Sequence, residues 1–499
     1  MNIREKVLNY HSDQGSLGLS DVMLPQVHPN IKSRYGDQID TSTTIAQGLG
    51  RINIPFVSAG MDTVTGAQMA ITIALQGGIG EIYRNNTPED QALIAREVKD
   101  RLRVVEEDPP MLPESATIFD AKELLRKRKR GYVVIYPGTD YTRRFSGLVT
   151  PRDLEAREED APLSAVMTPK NRILSVPVET SLQQAVEFMR NERLEKVPMV
   201  DNDGLVIGMY SMKDNSLYQK NPNAALDSKG RLLVGAAIGI KEIDVRRAQL
   251  LEDAGVDVLF LDVANGDNDN IIWIMGELTD GDNSVKIPII VGNYAPFSDK
   301  PTDGENVVFA SDLGASGVKV GVGPGKVCKT RDIAGVGIPQ WTAIFNARNI
   351  LDKRNINIPL IADGGVRNPH DANVAISAGA DAVMIGTAFA GTSDSPGKII
   401  YVEGKPMKIV RGMASIDAFK DRMALGEVTT DPEVYQEAAE GEVTLVPFNG
   451  DTKAQIRKYV GGLRSGMSYT NSHTIKELQH SRVIRVTAGG ANEHNRNLG

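Results

Sequence analysis

Cysteine is almost missing from this chain: Cys328 is the single one in 499 residues. One thiol excludes an internal disulfide framework and fits a reducing compartment, so a cytoplasmic location is expected. Long hydrophobic runs are missing as well. None reaches the roughly 18 residues that a membrane-spanning helix needs, and no membrane partner is expected. The polar stretch 1–14 has no secretory pattern, and the terminal Asn497-Leu498-Gly499 is no peroxisomal address. Basic excess is the third absence. Fifty-six Lys and Arg stand against 64 Asp and Glu, a net charge of -8. That argues against a nucleic-acid partner, which needs a basic footprint, but leaves room for one local basic pocket.

What the chain has in quantity is glycine, 48 residues, clustered after short apolar runs in the way of phosphate-binding loops. Eight such runs, at 55–60, 78–83, 232–237, 256–262, 288–292, 318–321, 359–364 and 381–386, lead into helix-like stretches such as 242–254 and 371–378. Strands alternating with helices imply a parallel sheet. Eight units over this length favour a (β/α)₈ barrel, with an open doubly wound sheet as the alternative.

One gap, residues 84–231, breaks the rhythm. It holds a weak internal repeat, 111–154 and 167–215. Each copy runs helix, apolar strand, polar turn, then a strand ending in a hydroxyl residue and Asp. The order resembles a tandem pair of CBS modules. The expected organisation is therefore a first barrel segment 1–109, a CBS pair 110–217 and a second barrel segment 218–499. By that resemblance Thr150, Asp153, Ser211 and Asp214 hold a purine nucleotide effector; the alternative is an insert that binds nothing.

The most informative stretch is Gly321-Val-Gly-Pro-Gly-Lys-Val-Cys328-Lys-Thr330-Arg. It follows the sixth strand, on the C-terminal face where barrel enzymes do chemistry. Gly321, Gly323 and Gly325 with Pro324 allow a tight turn whose carbonyls can face a monovalent cation. A thiol there can attack an electron-poor ring carbon as a thiolate, which Lys326, Lys329 and Arg331 favour. Thr330 can relay a proton. A lone Cys is more often a small buried hydrophobe, but these polar and glycine neighbours show no apolar periodicity. Further on, Asp363-Gly364-Gly365 and Gly386-Thr387 end the seventh and eighth strands. A carboxylate there can accept ribose hydroxyls, and the glycines and Thr387 can donate to a phosphate.

The loop 321–340 resembles the active-site loop of the IMP dehydrogenase/GMP reductase family, and the resemblance extends over nearly the whole chain. Ser58-Ala-Gly-Met61-Asp-Thr-Val64, Ile361-Ala-Asp363-Gly-Gly365, Met384-Ile-Gly386-Thr387, Arg411-Gly412-Met413 and Gly461-Gly-Leu-Arg464 resemble its other motifs. The resemblance implies Cys328, Thr330 and Glu440 as catalytic residues. It implies Ser58, Met61, Lys326, Asp363, Gly364, Gly365, Gly386, Thr387, Gly412 and Met413 around GMP or IMP. Asp262, Asn265, Gly321 and Gly323 would lie toward the nicotinamide cofactor, and the carbonyls of Gly323, Gly325 and Cys328 around potassium. It also implies a homotetramer that can pair into octamers. Two positions depart from the family pattern: Lys326 stands where Ser is usual and Val410 where Tyr is usual, which leaves the phosphate geometry open.

Two activities share the cysteine adduct. IMP dehydrogenase oxidises IMP with NAD and hydrolyses the adduct to XMP. GMP reductase expels ammonia from GMP and reduces the adduct with NADPH. The dehydrogenases carry an Arg-Tyr pair on a flap to activate water; no such dipeptide occurs in 412–450, and Gly426-Glu427 stands near the expected place. Asn265 and Val446-Pro-Phe-Asn-Gly-Asp451 resemble the reductase form, with Glu440 as partner of the loop threonine. Most reductases lack a CBS insert, which points the other way. The expectation is a GMP reductase using NADPH. An IMP dehydrogenase using NAD, and an inactive homologue that senses purine nucleotides, are the alternatives.

Overall fold

The computed structural model describes residues 15–487 and Gly490, apart from 103–104, 107, 129–130, 139–142, 156, 181, 212–216, 218, 299–304 and 427. Eight parallel strands close into a barrel: β1 (Phe56–Ser58), β2 (Ile79–Ile82), β3 (Gly235–Ile238), β4 (Val258–Asp262), β5 (Ile289–Tyr294), β6 (Gly317–Val320), β7 (Leu360–Asp363) and β8 (Ala382–Ile385). These are the eight runs expected from the sequence, and a helix follows each, among them Glu242–Asp253 and Pro369–Ser377.

Alternation along the strands decides what faces inward. Val57, Ile79, Leu233, Val258, Phe260, Ile290, Ile361, Ala382 and Met384 form one buried cluster inside the barrel. Stepping two residues along β2, β4, β6 and β7 toward the C-terminal face puts Glu81, Asp262, Lys319 and Asp363 on the same inward side. An apolar stack is thus topped by charged residues. The helices start where local chemistry dictates: Asn268 caps Asp269–Thr279, and Asn368 caps Pro369–Ser377 with proline in its first turn.

Beyond β8 the chain adds a three-stranded antiparallel sheet, Ile400–Val402, Lys405–Arg411 and Val443–Pro447. The long helix Thr452–Tyr469 then packs on Pro369–Ser377. A side chain at Gly462 would meet Pro369 at 2.3 Å and one at Gly466 would meet Asn373 at 2.6 Å, so these two glycines serve close packing. Arg464 donates to the carbonyls of Arg34, Gly36 and Ile39 and ties down the N-terminal segment.

The second compact unit comprises Leu102–Pro222 and Ser228–Arg231, wider than the expected 110–217. The reason lies in Val105–Glu106, which pairs with Val206–Ser211 and so belongs to the insert. The unit has two four-stranded sheets of matching plan. Met111–Pro113 runs parallel to Val133–Tyr136, which pairs antiparallel with Gly147–Val149. Val176–Pro177, Lys196–Val200 and Val206–Ser211 repeat that arrangement. A helix lies between the parallel strands of each half, Ile118–Arg128 and Leu182–Asn191.

Truncating the barrel stack at Ile361, which is fully buried, should be costly. Ile361→Ala is expected to lower unfolding free energy by about 2–5 kcal/mol, measured by denaturant unfolding followed through barrel-unit fluorescence.

Candidate active site

The C-terminal ends of the strands open into two adjoining cavities. The larger has a volume of about 840 Å³ and includes Met61, Lys326, Asp363, Gly364, Gly365, Gly386 and Thr387 in its wall. The smaller, about 280 Å³, is lined by Asp262, Gly321, Gly323, Cys328, Gly412, Met413 and Glu440. Met61, Gly325, Asp363 and Gly364 border both.

Backbone demands shape the cysteine loop. Gly321 has φ +150°, and a Cβ there would lie 2.0 Å from the Asp363 carbonyl oxygen. Side chains at Gly323 or Gly337 would strike Arg331 at 2.5 or 2.7 Å. That room lets the Arg331 guanidinium donate to the carbonyls of Val322 and Ile338 and staple the loop shut. Gln340 is buried and donates to the carbonyls of Val320 (2.9 Å) and Asp363 (3.0 Å), locking β6 to β7.

Cys328 is partly exposed. Its Sγ lies 3.2 Å from Thr330 Oγ1, and Thr330 Oγ1 donates to Glu440 Oε2 at 2.7 Å. A hydroxyl has one proton to give, so with Thr330 donating to Glu440 the thiol is the donor in the first contact. The order is S–H to O–H to carboxylate. Glu440 reaches this place because its segment lies along the loop as an antiparallel strand. Lys329 N–H donates to the Glu440 carbonyl (2.6 Å), and Glu442 N–H to the Val327 carbonyl (3.0 Å).

Of the cations expected to favour the thiolate, Arg331 binds loop carbonyls and also interacts electrostatically with Cys328. Lys329 pairs with Glu442 (3.2 Å) and Asp332 (3.7 Å). Lys326 is exposed on the wall of the larger cavity. The hydrogen bond of Sγ goes to Thr330.

Beneath the cavities lies a buried ion cluster. Lys319 Nζ donates to Asp262 Oδ1 at 2.6 Å and to Asp363 Oδ2 at 2.5 Å. Asp363 Oδ2 also accepts from Asn293 Nδ2 at 2.9 Å. Both contacts fall on one oxygen, so Oδ1 is the one available to a ligand. Burial works against the charge on Lys319, but the carboxylates of Asp262 and Asp363 that touch it more than offset this and hold the ammonium above the ordinary lysine range. Asp262 is therefore a cavity-wall ion-pair partner. The cap of the following helix is Asn268.

Two expected site residues lie elsewhere. Ser58 is fully buried and its Oγ accepts from Thr65 Oγ1 at 2.9 Å. Val57 and Ala59 face the barrel interior, so alternation turns Ser58 toward the helices and away from the cavities. Asn265 is exposed outside both cavity walls, and its Oδ1 accepts the Asp267 N–H at 3.0 Å in a local turn. Val410 is buried beneath its sheet and does not line either cavity. In the second unit Thr150 Oγ1 and N both donate to Asp153 Oδ2 at 2.7 Å, capping Pro151–Leu154. Ser211 ends its strand half-buried, and Asp214 and Glu427 lie outside the described residues.

Sequence reasoning missed Lys319, Asn293, Glu81 and the pair Asp62–Arg411. Arg411 Nε and Nη2 grip Asp62 at 2.6–3.1 Å and also reach Asp421. This joins the Met61 loop to the Gly412-Met413 loop. A lysine in the apolar run Val318-Lys319-Val320, and a glutamate in Ile79-Gly-Glu81-Ile82, were the available signals.

Among the described residues no helix is long and apolar enough to cross a membrane. Among the described residues no group of three or more His, Cys, Asp or Glu side chains is placed to hold a metal ion.

The family model described as IMP dehydrogenase / GMP reductase domain matches residues 16–496. The chain is 38% identical to a GMP reductase of Leishmania donovani over 484 residues, 96% of each chain. It is 37% identical to an inosine-5'-monophosphate dehydrogenase of Aquifex aeolicus over 481 residues, 96% of this chain and 94% of that one. A cysteine-to-alanine variant of GMP reductase from Trypanosoma brucei, solved with guanosine 5'-monophosphate, has TM-score 0.78 at 34% identity, covering 97% of this chain and 98% of that one. The same organism's enzyme solved with guanosine 5'-triphosphate has TM-score 0.71 at 32% identity, covering 96% and 99%.

Gly321→Ala is expected to lower thermal stability and pull β6 from β7, because its Cβ has no room and its φ is costly for an L side chain. Differential scanning calorimetry checks it; an unchanged melting temperature would contradict the packing described.

Proposed function

The chain belongs to the IMP dehydrogenase/GMP reductase family, and within it we propose that it is a GMP reductase, converting GMP to IMP and ammonia through a covalent bond between Cys328 and purine C2. The observation that carries this reading is the Cys328–Thr330–Glu440 chain, 3.2 and 2.7 Å between successive heavy atoms. Such a chain suits a reaction that must move the thiol proton onto a leaving amine.

GMP fits the larger cavity with its ribose hydroxyls on Asp363 Oδ1 and its phosphate toward Gly365, Gly386 and Thr387. Lys326, exposed on that wall, supplies a charge where the family has hydroxyls. The purine then lies between Met61 and Cys328. Sγ bonds to C2, the C2–N bond breaks, and the thiol proton leaves with the amine as ammonia by way of Thr330 and Glu440. Positioned proton transfer of this kind is worth roughly 10²–10⁴-fold in rate. The smaller cavity, with Asp262 in its wall, would hold NADPH, which would supply a hydride to C2. Cys328 departs as thiolate and is reprotonated from solvent by way of Thr330 and Glu440, the earlier proton having left with ammonia.

A potassium ion would be held by the carbonyls of Gly323, Gly325 and Cys328. The fit is partial, since the Gly325 carbonyl already accepts the Cys328 N–H at 3.1 Å. Its contribution would be to stiffen the loop. The paired halves of the second unit support a tandem CBS reading, with a purine nucleotide effector at Thr150, Asp153 and Ser211. The assembly that follows from the family is a homotetramer.

IMP dehydrogenase is the second reading, favoured by the near-equal identity to the Aquifex enzyme. Purified protein is expected to consume NADPH with GMP and to leave NAD unreduced with IMP, followed at the reduced-nicotinamide absorbance. The opposite pattern assigns the dehydrogenase, and nucleotide binding with neither reaction assigns a sensor. Cys328→Ala should abolish turnover and keep GMP binding. Thr330→Val should lower kcat by roughly 10²–10⁴-fold with little change in GMP affinity.

A further inference from the structure

Glu81 has no part in the chemistry above, yet its position is unusual. It sits on the inward side of β2, two residues past Ile79 of the barrel stack. It is fully buried, and among the described residues its carboxyl oxygens accept no well-formed hydrogen bond, the Gly60 amide approaching them only weakly. A carboxylate in that state is costly, since nothing replaces the water it has lost. Its carboxyl group lies under the Gly60 backbone: a Cβ built at Gly60 would meet Oε1 at 2.6 Å. Gly60 adjoins Met61, which borders both cavities.

The charged groups facing it come from three other strands: Asp262 on β4, Lys319 on β6 and Asp363 on β7. The flanking strands Phe56–Ser58 and Gly235–Ile238 carry no ionisable residue, nor does Ala382–Ile385. Three carboxyl groups therefore share one ammonium. Lys319 already touches two of them, at 2.6 and 2.5 Å. Desolvation, with the charge of Asp262 next, pushes the Glu81 carboxyl well above the usual carboxylate range, while Lys319 and the Gly60 amide oppose this.

We propose that Glu81 is a positioning residue of the nucleotide site. As a neutral acid it leaves the Lys319 ammonium bridging Asp262 and Asp363. On losing its proton it competes for that ammonium and frees Asp363 from its fixed orientation. The nucleotide-competent state is the protonated one. This rests on the reading that Asp363 receives the ribose; the proton on Glu81 stands on geometry alone.

The sign of the pH dependence follows. A carboxyl whose folded value is raised binds more protons folded than unfolded, so stability falls as pH climbs from the ordinary carboxylate range toward that folded value. Above it the folded protein also carries an ionised Glu81, and nucleotide affinity drops.

The test compares wild type with Glu81→Gln, a neutral isostere, and Glu81→Met, an apolar one, on the full chain. Binding of GMP and IMP is measured by calorimetry across neutral and alkaline pH, and thermal unfolding across the same range. Wild type should lose affinity at the alkaline end. E81Q should bind at neutral pH within about twofold of wild type and lose the alkaline fall, and its stability should show a shallower decline with pH. An alkaline fall that persists in both variants overturns the proposal. So does a loss at neutral pH of about tenfold or more in E81Q, which would mark Glu81 as a working anion. If wild type binds neither nucleotide, the GMP reductase reading fails. The unfolding data then still decide the proton: a slope unchanged in both variants refutes it, and a slope lost in both supports it.

Discussion

The site is organised around one ammonium group. Lys319 is buried inside the barrel and holds Asp262 of β4 and Asp363 of β7 within hydrogen-bonding distance. Desolvating an ammonium and two carboxylates is expensive, and their mutual attraction offsets it only when the geometry is good. The closed ring of strands supplies that geometry, since it fixes the three residues without hinges. Two carboxylates consequently face the cavities in set positions, Asp363 bordering both and Asp262 the smaller. The apolar stack below keeps water out and the interaction strong.

The cysteine loop adds a second kind of constraint, built from backbone. Gly321 passes against the Asp363 carbonyl where no side chain fits, and Gly323 and Gly337 leave space for Arg331. Arg331 and Gln340 then convert a glycine-rich turn into a fixed platform by binding its carbonyls. Cys328, the nucleophile of the proposed reaction, thus rests on a loop with little freedom, next to a threonine two residues away. Preorganisation of this sort lowers the cost of reaching the reacting geometry.

All eight barrel strands were legible because each is a short aliphatic run followed by a helix start, and most end at or beside a glycine or Asp. Cys328, Thr330 and Glu440 were legible through motif resemblance, and the coordinates bring them into one hydrogen-bonded chain. Ser58 misled because a motif does not say which way a strand residue points; alternation does, and Val57 settles it. Asn265 misled because a turn residue near a site can be satisfied locally. Lys319 and Glu81 went unread because a charge inside an apolar strand has meaning only once its partners on other strands are known. The insert boundary was drawn too narrow because Val105–Glu106 is a two-residue strand whose pairing is entirely long-range.

Nucleophile and acid partner come from different layers of construction. Cys328 belongs to the barrel, between β6 and β7. Glu440 belongs to an appendage threaded after β8, held to the loop by main-chain contacts that do not depend on side-chain identity. A short stretch of this appendage can therefore change its side chains while the grip on the nucleotide stays the same. One scaffold can in this way present a common thioether intermediate to alternative fates, with the later history of the adduct written in a detachable strap.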